Sequence, residues 1–165
     1  SEAKAAALRA VCEDAIDGER ILGPEAISEE LRETIGKHIG IPSSEPLWCF
    51  LDTSAVKKGH FGLVVGARGL YWQNDADIYE YTRLKRLSWD EIGDHTFALD
   101  PADNDIMVGT TSQIGICVLD THKELLAFIH ALQATATGEA PDAPEDQAAE
   151  DARAEQPPPE SPDAE

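Results

Sequence analysis

Basic residues are scarce in this sequence: 13 lysines and arginines stand against 32 aspartates and glutamates, a formal net charge of −19. A surface so charged repels a phosphate backbone almost everywhere, which excludes unspecific nucleic-acid binding. Cysteine is nearly missing as well. Cys12, Cys49 and Cys117 are odd in number and widely spaced, which fits neither a disulfide framework nor a thiolate metal motif and matches a reducing cytoplasm. No apolar run approaches the roughly 20 residues that span a bilayer, and the first residues lack the basic-then-apolar order of a signal peptide. A cytoplasmic protein is expected. Catalytic signatures are equally thin. There is no G-x-S-x-G, phosphate loop or dinucleotide fingerprint. His38, His60, His95, His122 and His130 show no ligand-pair spacing, and the acidic stretch from Asp100 to Asp105 lacks the glycine and closing glutamate of a calcium loop. No enzymatic activity, cofactor or metal is expected.

What the chain does contain is organised around residues 61–89. Two apolar runs meet at Gly66-Ala67-Arg68-Gly69, where glycine suits a tight reversal, and both have the β-branched and aromatic make-up of strands. Around this hairpin, seven strands are expected at 47–54, 61–67, 70–74, 79–89, 96–99, 106–110 and 115–119, with short polar turns between them and no helix. That pattern predicts an antiparallel sheet bending into a barrel or sandwich. The alternation slips at Leu84-Lys85-Arg86-Leu87, as a β-bulge would require.

Helices flank the strands. Leu8, Val11, Cys12, Ala15 and Ile16 recur at helical spacing up to Gly18, and Ile27, Leu31 and Ile35 do so between Gly23-Pro24 and Gly36. Together they predict an N-terminal helical hairpin over residues 1–41, suited to packing, docking or self-association because neither helix is stable alone at this length. Thr121-His122-Lys123-Glu124 is a capping box. The stripe Leu125, Leu126, Ile129 and Leu132, with Phe128 at its edge, then predicts a helix to about Ala134 that plugs the open end of the strands. From Gly138 to Glu165 there are ten acidic residues, Arg153 as the single base and no aromatic. That composition cannot offset its ordering entropy, so a disordered acidic tail is expected over 137–165. The folded domain is expected over 42–136.

Gly69-Leu70-Tyr71-Trp72-Gln73-Asn74, followed one strand later by Leu87-Ser88-Trp89-Asp90-Glu91-Ile92, resembles the paired G-[IL]-Y-W-x-N and [IL]-S-W-x-E-[IL] motifs of bacterial pleckstrin-homology-like (PH-like) domains. Ile41-Pro42 and Asp52-Thr53 are similar to the step before the first strand and to its end in that family. The resemblance implies a mainly β fold with flanking α: a seven-stranded antiparallel PH-like barrel capped by a C-terminal helix. It implies a binding role and brings no shared active site.

Two surfaces follow as candidates. Lys57, Lys58 and His60, with Arg68, Arg83, Lys85 and Arg86, are the basic residues that could hold a phosphate or an anionic headgroup; PH domains that bind inositol phosphates use the loop in which Lys57-Lys58-Gly59-His60 falls. The same bases could instead be a solvated hairpin tip, or be screened by the acidic tail. Tyr71, Tyr79 and Tyr81 are candidate partner-binding aromatics, as are Ile27, Leu31 and Ile35 on the second helix, whereas Trp72 and Trp89 are expected in the core. The resulting expectation is a non-enzymatic module that recruits a protein partner or its own copy, with anionic-lipid binding and weak peripheral membrane contact as the alternative.

Overall fold

The computed structural model describes residues 1–54, 57–75, 84–102, 105–115 and 122–138. Helix α1 (Glu2–Ala15) is capped by the Ser1 hydroxyl, which accepts from the Lys4 amide. Instead of running on to a second helix, the chain turns at Asp17, whose carboxylate accepts three successive backbone N–H groups from Glu19 to Ile21. It then enters a two-residue strand, β1 (Ile21–Leu22). A 3-10 turn (Pro24–Ala26) precedes α2 (Glu29–Ile35), capped by Ser28, and one turn of π-helix (Gly36–Gly40). The sheet continues as β2 (Leu47–Asp52), β3 (Gly62–Gly66), β4 (Gly69–Gln73) and β5 (Arg86–Ser88). A second meander holds β6 (Phe97–Leu99), β7 (Ile106–Val108) and β8 (Ser112–Ile114), and α3 (His122–Thr137) follows.

The strands make two antiparallel sheets, a five-stranded β1-β2-β3-β4-β5 and a three-stranded β6-β7-β8. This corrects the single seven-stranded barrel: among the described residues no closed barrel forms. Where β8 comes up to the larger sheet, side chains bond to backbone groups across the gap. Asn74 Nδ2 donates to Gln113 O at 2.8 Å while Asn74 Oδ1 accepts from Gly115 N at 2.9 Å, and Leu84 N donates to Ser112 Oγ at 2.9 Å. Strand β8 begins at Ser112, a position expected in a turn; a turn precedes it at Gly109, whose φ of 63° is left-handed, and the strand expected at 115–119 lies, beyond Gly115, outside the described residues. The register shift is in β2, between Leu47 and Cys49, whereas β5 pairs regularly with β4 through Leu87 and Arg86.

Both faces of the larger sheet are buried, by alternate residues of each strand. Leu63, Val65, Leu70, Trp72 and Leu87 join Leu8 and Cys12 of α1, Ile106 and Ile114 of the smaller sheet, and Leu125, Ile129 and Leu132 of α3 in one core. Phe50, Val64 and Tyr71 face the other way and pack with Ile35, Ile39 and Ile41. The expected helical hairpin is therefore corrected: α1 and α2 lie on opposite faces, separated by β1. Each helix finds its apolar partner in the sheet, which suits two elements too short to hold together by themselves. Helix α3 packs against α1, and it is tied to the smaller sheet and its lead-in turn by His130 Nε2 to Phe97 O at 2.9 Å and by Gln133 Nε2 to Ile92 O at 2.8 Å. No helix among the described residues is long and apolar enough to cross a membrane.

Candidate functional site

The basic residues singled out from sequence do not form one patch. Lys57, Lys58 and His60 sit on the β2–β3 loop, at the end of the sheet where Asp52 pairs with Gly62. Arg68 lies at the opposite end, in the β3–β4 turn, and Arg86 neighbours Tyr71 across β4 and β5. Lys85 is exposed just before β5. Arg83, Tyr79, Tyr81 and Cys117 lie outside the described residues.

The loop has partners that sequence reading missed. His60 stacks on His38 of the π-helical turn, with ring centroids 3.6 Å apart and planes 25° from parallel. Lys37 and Lys57 flank the stack closely enough to depress the His38 pKa, after desolvation and together with His60. Two elements are brought together by Gly59: its φ is 84°, and a Cβ there would stand 2.9 Å from Leu31 Cδ1 and 3.1 Å from Thr34 Cγ2. Its amide donates to Asp52 Oδ2 at 3.2 Å. Helical periodicity could not reveal Lys37 and His38, because they follow Gly36 where the α-pattern stops; π turns of this kind recur at functional sites.

Tyr71 is corrected from exposed anchor to buried side chain at 8 % exposure. Its hydroxyl donates to Glu45 Oε1 at 2.8 Å, and the Arg68 amide donates to the same oxygen at 3.1 Å. The turn carrying Glu45 is held in place by Arg32, which donates to Pro42 O at 2.8 Å and Glu45 O at 3.0 Å. Burial first, then the hydrogen bond to Glu45, push the Tyr71 phenol up to about 12. A phenol whose pKa is higher folded than unfolded stabilises the fold below about pH 10, and that contribution is lost as pH rises toward the folded value. The stability gap between the native chain and Tyr71→Phe is therefore expected to narrow between pH 10 and 12, in step with phenolate absorbance. A gap that stays constant over that window contradicts the assignment. Ile35 is fully buried in the same cluster, with Ile27 and Leu31 packed beside it, so this row serves the protein's own core.

The aromatic motifs are likewise committed to the fold. Trp72 is fully buried, and Trp89 donates from Nε1 to Ala67 O at 3.1 Å. Glu91 accepts from the Ser88 amide and hydroxyl, which lowers its pKa. His95 and His130 line a depression of about 430 Å³, but His95 Nδ1 is bonded to Glu91 O and His130 Nε2 to Phe97 O, an arrangement that orients backbone and presents no nucleophile. Cys12 and Cys49 are buried side by side; the hydrogen bond between them and burial push the Cys49 thiol well up, away from thiolate chemistry. Among the described residues no three His, Cys, Asp or Glu side chains gather as metal ligands.

A larger feature lies between α1 and the 3-10 turn, a groove of about 690 Å³ floored by Leu47 and Trp48 and walled by Ile16 and Ala26. Arg9 stands 5.7 Å above the Trp48 ring, which stacks in turn on Trp89 at 6.2 Å. Strand β1 pairs only with Leu51 and Phe50, so β2 continues past the end of its neighbour along this groove. No family model, curated protein or solved structure matches the chain.

Proposed function

We propose that the chain is a non-enzymatic binding module, an opened form of the PH-like barrel, that holds an extended segment of a protein partner along β2. The observation that supports this most is the groove: apolar walls at Ile16 and Ala26, an aromatic ring under a guanidinium, and a strand β2 that runs on past the end of β1 from Leu47 to Cys49. Strand addition at such an edge draws affinity from backbone hydrogen bonds and specificity from alternate side chains. Apolar residues of the segment would face Trp48 and Leu47, with an acidic residue opposite Arg9. Peptides selected from a random displayed library on the full chain should carry that pattern. They should lose about tenfold or more in affinity to Ala26→Trp, which fills the groove from an exposed position, and to Arg9→Glu. Selected peptides that bind these variants unchanged would remove the groove from the account. If a second copy of the chain is the occupant, Ala26→Trp converts a dimer to a monomer in sedimentation.

A second reading is favoured by the cations around His38 and His60: an adaptor for a phosphate-bearing headgroup through Lys57, Lys58 and His60, joined by Lys37 and His38. Co-sedimentation with anionic vesicles that disappears in Lys57→Glu/Lys58→Glu supports it, and absence of binding at low salt ends it.

A further inference from the structure

The His38–His60 stack places two titratable rings face to face, with Lys37 and Lys57 close enough to act on His38. One imidazolium in such a stack is tolerable, but two at 3.6 Å repel strongly unless an anion sits between them and the lysines. Histidine takes up its proton near neutral pH, so the balance falls within an accessible range. We propose that the stack is a proton gate on an anion site: a phosphate group is taken up between Lys37, Lys57 and the ring edges together with protons on the imidazoles, and released as those protons leave. The proposal rests on the headgroup reading and adds its regulation.

The surroundings are suited to this. On the loop side Lys58 adds a further exposed cation, and the Asp52 carboxylate accepts from the amides of Ser54 and Gly59. On the α2 side Leu31, Thr34 and Ile35 approach Gly59 of the loop, while Lys37 lines a neighbouring depression together with Glu29, Arg32 and Glu33. Protonation therefore alters the charge of the site itself. The direction follows from linkage. Desolvation, then His60 and the neighbouring lysines, lower the His38 pKa, a bound anion raises it, and so affinity must rise as pH falls.

The test uses the full chain and inositol hexasulfate, whose sulfate esters keep their charge across the range, so that any pH dependence belongs to the protein. Calorimetry is expected to give binding about tenfold tighter at about pH 5.5 than at about pH 7.5, with proton uptake revealed by the buffer dependence of the heat. In His38→Gln/His60→Gln the pH dependence should vanish while weak binding through the lysines remains. Lys37→Gln/Lys57→Gln should abolish binding at both values. Vesicles carrying a phosphoinositide, run beside soluble inositol hexakisphosphate, separate a membrane source of the phosphate from a free one. In the anion-free protein, the two imidazoles should titrate in NMR as a coupled pair. Binding that is lost in the lysine variant but indifferent to pH overturns the gate and leaves the headgroup reading standing. No binding at either pH overturns both, and two independent single-site imidazole titrations overturn the gate by themselves.

Discussion

Asn74→Ala is expected to cost about 2–4 kcal/mol of stability, more than any surface change in this chain. The side chain is 5 % exposed and satisfies a carbonyl of β8 and the amide of Gly115 at once. Truncation removes both bonds and leaves the buried Gly115 amide without this acceptor, and a buried unsatisfied group costs about 1–3 kcal/mol. The loss should be local in a defined way. Hydrogen exchange at Gly115 should speed up far more than exchange at Val64 or Leu70, which stay inside the ladder of the larger sheet. Asn74→Asp separates the two bonds, since a carboxylate still accepts from Gly115 but no longer donates to Gln113. If the alanine variant melts like the native chain, the two sheets are held by their apolar contacts and the stitch is incidental.

Gly69→Ala should also cost about 3 kcal/mol, for a different reason. A Cβ at this position would lie 2.0 Å from Leu87 O, 2.9 Å from Leu87 C and 2.8 Å from Ser88 Cα. All three are backbone atoms of the neighbouring strand, so no rotamer change relieves the clash, and β5 must move away from β4. Gly109→Ala supplies the control. Its φ of 63° is left-handed but nothing lies within 4 Å, so only the conformational penalty of about 1–2 kcal/mol applies. Denaturant midpoints of the two variants should therefore differ clearly. Equal midpoints would mean that β4 and β5 are not in the contact described.

The sequence carried the strands of the larger sheet well, because their alternation, their glycine turn and their aromatic composition all point the same way. Trp72 and Trp89 were readable as core on that basis, and so was α1 with its stop near Gly18. Strand β1 was not readable, since two residues give no periodicity to detect and it exists only by pairing with β2. The separation of α1 and α2 onto two faces was hidden too. An amphipathic stripe says that a helix needs an apolar partner but not which side of a sheet will supply it. Tyr71 was misplaced because alternation gives a residue's face without saying whether that face is wet, and α2 with its π turn covers it. For the anion site, Lys57, Lys58 and His60 were visible as a basic loop. Lys37 and His38 join them only through the close approach at Gly59, a contact between segments some twenty residues apart that no local pattern encodes.

The packing of α1 on α3 has a consequence for how the chain comes to be folded. Helices α1 and α3 complete one core, so the contact closes a loop of roughly a hundred residues, and closures of such long span slow folding. During synthesis α1 emerges early and waits for the rest of the chain, while the sheet face it will share with α3 stands bare. An unfinished chain in that interval exposes apolar surface and is prone to aggregation until α3 arrives.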